Sequence, residues 1–117
     1  MLGPKKPVVR SEAYRRYVSG LACYVCKLEG YSQVAHADAG KGMGMKASDL
    51  SVFPACGPRL GEPGCHYRIG MTGFLGKFGR RELEEDACGW TRNELIRMSQ
   101  SDPKLAALLI KLGVLPA

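Results

Sequence analysis

Two cysteine pairs constrain this chain more than anything else in it: Cys23-Tyr-Val-Cys26, and Cys56 with Cys65 farther on. A Cys-x2-Cys lets two thiolates leave one tight turn and reach a tetrahedral Zn2+ at about 2.3 Å. A second pair arriving from the far end of the segment closes such a site and staples residues 23 to 65 together. A staple is what this chain calls for. Its 117 residues build only a modest core, and 15 glycines and 7 prolines imply short elements joined by loops. Cys88 is left over, and the odd count of five argues against a complete disulfide framework.

The surroundings of the cysteines read as a small α+β unit. No apolar run approaches a membrane span, and the first residues lack the apolar core of a secretory signal. The expected location is therefore the cytoplasm, where Cys-x2-Cys reads first as a metal motif. Residues 1–10 are Pro- and Lys-rich without periodicity and read as a flexible basic arm. Ser11 is placed to cap a helix whose apolar stripe is Tyr14, Tyr17, Val18 and Leu21, ended near Gly20. A short strand is expected through Ser32 to His36. A second lies in "LSVFPAC", stopped by Pro54, and Cys65-His66 opens a glycine-weakened helix. The last third reads as three helices, "GRRELEEDACGW", "TRNELIRMSQ" and "DPKLAALLIKLG". Thr91 and Asp102 are their expected N-caps, and Leu105, Leu108, Leu109 and Leu112 form a stripe in the last. Trp90 is expected to pack as core.

Both histidines of the chain, His36 and His66, fall inside the cysteine frame, each at an element boundary. The order Cys-x2-Cys, strand, "AH", glycine-rich loop with "KASD", strand, "PAC" and "CH" resembles the HNH (ββα-metal, His-Me finger) endonucleases. It is most like the phage and prophage subset related to the RecA-dependent nuclease Ref. The stretches that carry the resemblance are "VAHADAGKGMGMKASD", "VFPAC" and "GCHYRIG", after the lead-in "SEAYRRYVSGLACYVC". It covers about residues 11–80, with 81–117 expected as a helical extension packed on that domain.

The resemblance implies a zinc-stapled ββα-metal core that hydrolyses phosphodiester bonds in DNA. His36 would be the general base that activates water. His66 would hold a catalytic Mg2+ or Mn2+, apart from the structural Zn2+ on Cys23, Cys26, Cys56 and Cys65. An imidazole titrates near neutral pH, so it can take a proton under working conditions. Asp49 matches an acidic residue of the subset and has three open roles: orienting His36, supporting the cation, or capping the loop.

The chain departs from the family pattern at two places. Ala35 stands where many relatives have a metal-binding Asp or His, and Tyr67, Arg68 and Ile69 stand where many have another histidine. The catalytic cation is thus ligand-poor, with Asp38, Asp49 or the substrate phosphate left to complete it. An inactive zinc module that binds nucleic acid or a partner protein is the alternative. A thiol redox role for Cys23 and Cys26 leaves the second pair and both histidines unexplained. The net charge of +6 suits a polyanionic partner. Lys41, Lys46, Arg68, Arg80 and Arg81 are the expected contacts to the nucleic-acid backbone.

Overall fold

The computed structural model describes residues 9–37, 48–59, 61–70 and 76–117. Helix α1 spans Glu12–Ser19. The Ser11 side chain accepts the Tyr14 N–H, which satisfies one of the amides that a helix start leaves unpaired. Tyr14 and Val18 are fully buried from the expected stripe, with Tyr17 and Leu21 packed beside them.

Strands β1 (Ser32–His36) and β2 (Val52–Cys56) pair antiparallel, with Ser32 opposite Cys56 and His36 opposite Val52. Pro54 does not stop β2; it sits inside the strand, opposite Val34. The reason lies in the register. Ala37 donates to Ser51 and Gly57 donates to Tyr31, so the ladder bonds fall on alternate pairs and skip Val34–Pro54. The missing proline N–H therefore points away from β1, where no ladder bond is lost. On that outer edge the Pro54 carbonyl accepts the Tyr24 N–H at 2.9 Å.

Helices cover both faces of this two-stranded sheet. Val52 joins Tyr14, Val18, Leu95, Leu105 and Leu109 in one apolar cluster, with Val34 packed against it. Ala35, Phe53 and Ala55 join Ile69 and Ala87 in the other. Alternation of side chains along the strands divides the two sets. Helix α2 (Gly64–Gly70) supplies Ile69 to the second face.

Helix α3 runs unbroken from Gly76 to Ser99 and α4 from Pro103 to Lys111. Thr91 is accordingly not an N-cap. It is buried in the middle of α3, and its hydroxyl donates to the Ala87 carbonyl at 2.7 Å. Glu84, Ala87, Thr91 and Leu95 are all buried, forming one helical face that runs straight through the expected break. Burial of that face outweighs the roughly 1 kcal/mol that Gly89 costs inside a helix. Asp102 does cap α4, accepting the Leu105 N–H at 3.1 Å, and also accepts from the Tyr17 hydroxyl at 3.2 Å, tying α4 to α1. No helix among the described residues is long and apolar enough to cross a membrane.

Candidate functional site

The chain brings Cys23, Cys26, Cys56 and Cys65 together, with all four Sγ atoms within 4.8 Å of one another. Cys23 and Cys26 lie in the turn after α1. That turn is closed by the Cys23 N–H on the Leu28 carbonyl and the Lys27 N–H on the Cys23 carbonyl, each at 2.9 Å. Lys27 adopts the left-handed backbone region, φ 66°, that such a turn demands. Its ammonium donates to the Tyr24 carbonyl at 2.7 Å and lies over the Tyr24 and Trp90 rings, 4.7 and 5.2 Å from their centroids. Those contacts offset the strain. Trp90 is thereby only half-buried, tilted against Tyr24 rather than enclosed in the core.

Cys56 ends β2, and Cys65 stands in the first turn of α2. Gly64, at φ 84°, allows these two elements to meet. A Cβ there would lie 2.5 Å from the carbonyl oxygens of both Cys56 and Gly57. The Cys65 N–H donates to Cys56 Sγ at 3.2 Å, and Arg59 Nη1 donates to the same sulfur at 3.3 Å. Burial pushes both thiols up. At Cys65 that effect prevails, whereas the Cys65 N–H and the surrounding thiols bring Cys56 down to about 7.

This geometry fits a tetrahedral metal. Zn–S bonds of about 2.3 Å set sulfurs about 3.8 Å apart, and Cys26 Sγ lies 3.7 Å from Cys56 Sγ. Amide donors on sulfur favour the thiolate form that a metal needs. The four cysteines therefore form a cluster able to hold a metal ion such as zinc.

The second constellation centres on Asp49, which is almost entirely enclosed. Its Oδ1 lies 3.0 Å from His36 Nε2; its Oδ2 accepts the Ser11 N–H at 2.7 Å and forms an ion pair with Arg15, whose Nε lies 3.1 Å away. Arg10 Nη1 adds a contact to Oδ1 at 3.4 Å. Burial alone pushes the Asp49 carboxyl up. The His36 ring, the Ser11 N–H and Arg15 more than reverse this and hold it below the usual carboxylate range. Asp49 thus contacts His36 directly and also holds the Ser11 amide at the start of α1.

His66 is placed differently. Its Nδ1 lies 2.9 Å from Gln33 Oε1, and burial together with the His36 charge holds it below the ordinary imidazole value. Strand alternation puts His36 on the sheet face shared by Val34 and α1, and Gln33 on the face shared by Ala35 and α2. The two imidazoles thus have separate partners. Among the described residues the four cysteines are the only group of three or more potential ligands, so His66 has no companion set there. Asp38, Lys41 and Lys46 lie outside the described residues.

Of the remaining basic residues, Arg68 pairs with exposed Glu62 at 3.0 Å, Arg80 pairs with buried Glu84 at 2.9 Å, and Arg81 is exposed. The residues that sequence reasoning missed are Arg10, Arg15, Gln33, Arg59 and Gly64. The first two do appear in the sequence as part of a basic N-terminal segment, but nothing there links them to a carboxylate more than thirty positions away. No protein-family model, no curated protein and no solved structure matches this chain.

Proposed function

We propose that this chain is a zinc-stapled HNH-type endonuclease that hydrolyses DNA phosphodiester bonds, with His36 as general base. The observation that carries the reading is the His36–Asp49 pair: a partly exposed imidazole held at 3.0 Å by a buried carboxylate. An ionised Asp49 accepts a hydrogen bond from His36 Nε2–H and thereby fixes the tautomer. The lone pair is left on Nδ1, which can accept a proton from water as that water attacks phosphorus. The imidazolium so formed is stabilised by the same carboxylate. Zn2+ held by the four cysteines would tie the end of β2 to α2 and to the turn after α1, a structural role.

In this reading a divalent cation, Mg2+ or Mn2+, would be held by His66 and would supply charge stabilisation at the phosphate. Among the described residues His66 belongs to no group of three or more potential metal ligands. The family resemblance makes a phage or prophage origin and action in the bacterial cytoplasm part of the same proposal.

The test is DNA nicking with Mg2+ or Mn2+ by the full chain. His36→Ala should lose on the order of 100-fold or more in rate, with zinc content unchanged. Equal activity in His36→Ala and wild type rejects the assignment.

One observation favours a second reading. His66 is bound to Gln33, whose side chain lies on the opposite sheet face from that of His36, and His66 belongs to no group of three or more potential metal ligands among the described residues. A zinc-stapled module that binds DNA without cutting fits that arrangement. A salt-sensitive DNA complex with no cleavage under any divalent ion would select it.

A further inference from the structure

Four thiolates outweigh the charge of one divalent ion, so a metal held by these cysteines leaves the centre negative. Cys23 and Cys56 are fully buried, where uncompensated charge is costly. Donors to the sulfurs offset that cost. The Cys-x2-Cys turn supplies one from its own backbone, the Cys26 N–H on Cys23 Sγ at 3.5 Å. Cys56 Sγ receives the Cys65 N–H at 3.2 Å and, in addition, Arg59 Nη1 at 3.3 Å. Among the described residues, Arg59 is the one donor to a sulfur that carries a full positive charge.

The segment between Cys56 and Cys65 holds that side chain in place. Arg59 and Glu62 exchange backbone hydrogen bonds, 2.9 Å from the Arg59 N–H to the Glu62 carbonyl and 2.6 Å in the reverse sense. The Glu62 carboxylate pairs with Arg68 of α2 at 3.0 Å. The loop is therefore closed on itself and fastened to the helix that carries Cys65. Glu62 is matched by Arg68, and the Arg59 guanidinium turns to the Cys56 sulfur. The tight turn at Cys23 and Cys26 brings a backbone amide to its sulfur; the longer Cys56–Cys65 segment adds a guanidinium.

We propose that Arg59 is a positioning residue of the metal centre, whose guanidinium compensates the charge of the Cys56 sulfur and thereby retains a bound Zn2+. Arg59 does not touch the metal and acts through Cys56. The inference rests on the reading of the four cysteines as a zinc site and is independent of any nuclease activity. A guanidinium suits the task because it keeps its charge at every working pH and is more weakly hydrated than an ammonium. A hydrogen bond from a charged donor is also stronger than one from a neutral amide. Partners of metal ligands typically change metal affinity by about 10–100-fold when removed.

The experiment compares wild type, Arg59→Gln, Arg59→Lys and Glu62→Gln as full chains loaded with Zn2+ or with Co2+. Zinc retention is read by competition with a chelator of known affinity. The thiolate-to-Co2+ charge-transfer band is read in the near ultraviolet at saturating metal. In Arg59→Gln the Zn2+ Kd should rise roughly 10–100-fold. Its Co2+ band should move to longer wavelength, because a hydrogen bond from a cation lowers the energy of the sulfur lone pairs where that transition starts. Arg59→Lys keeps the charge and should recover most of the loss. Glu62→Gln loosens the loop but leaves the guanidinium, so its band should match wild type. A band unmoved in Arg59→Gln, or shifted equally in Glu62→Gln, overturns the assignment. If Arg59→Gln does not fold even with excess metal, Arg59→Lys decides. A wild-type band with retention near wild type sustains the role there, and a loss of roughly ten-fold or more overturns it. A wild type without any thiolate charge-transfer band overturns the zinc reading itself.

Discussion

The Sγ atoms of Cys26 and Cys56 lie 3.7 Å apart although 30 positions separate them in the chain. One belongs to a turn after the first helix and the other to the end of the second strand, so their approach joins the two halves of the central unit. If this cluster is filled as its geometry allows, the purified protein should carry about one zinc per chain by elemental analysis. Cys26→Ser with Cys56→Ser should remove the metal and abolish the cooperative unfolding transition. A soluble, cooperatively folded, zinc-free double variant would contradict the staple.

Gly64 is required by both its backbone angle and its neighbours. Gly64→Ala places a methyl 2.5 Å from two carbonyl oxygens at φ 84°. Strain at such a position is about 1–3 kcal/mol before the clash is counted. A denaturant midpoint lowered by at least that amount is expected, together with weaker metal retention in a chelator competition. Unchanged stability would show that α2 starts in another way.

Asp49 gives the fold an acid dependence whose sign is fixed. Its carboxyl is held below its unfolded value by the His36 ring, the Ser11 N–H and Arg15, with Arg10 adjacent, against the opposing effect of burial. The stabilisation is therefore complete above about pH 4, the ordinary Asp range, and is lost as the pH falls through the lower folded value. Asp49→Asn should be less stable than wild type by a constant margin near neutrality. That margin should shrink only in strong acid, as measured by chemical denaturation at a series of pH values. A margin that closes already between pH 7 and 5 would contradict the assignment.

Lys27 separates strain from contact. Lys27→Ala keeps the left-handed backbone and loses the ammonium contacts to the Tyr24 carbonyl and the Tyr24 and Trp90 rings. Lys27→Gly loses the same contacts but relieves the backbone. The glycine variant should exceed the alanine variant in stability by about 1 kcal/mol. Equal thermal midpoints would mean that the turn relaxes away from this conformation.

Several features were legible from residue pattern alone because local chemistry determines them. Ser11 and Asp102 are caps whose side chains reach amides three residues on, and the α1 and α4 stripes repeat at the helical period. Cys23 and Cys26 announce a metal-type turn by spacing, and the strand ending at His36 follows from its flanks. Pro54 and Thr91 misled for a common reason. Each is a breaker or cap in isolation, but register hides the proline nitrogen, and a buried helix face carries the threonine through.

What only the tertiary structure decided is which groups meet across long stretches of chain. Asp49 finds Arg10, Arg15, Ser11 and His36 because α1 packs on the sheet face from which His36 projects. Gln33 finds His66 because α2 covers the opposite face. Spacing names the residues able to do chemistry here, but strand alternation and helix packing assign each one its side of the sheet. Both are set by burial summed over the whole chain, a quantity that no single motif contains.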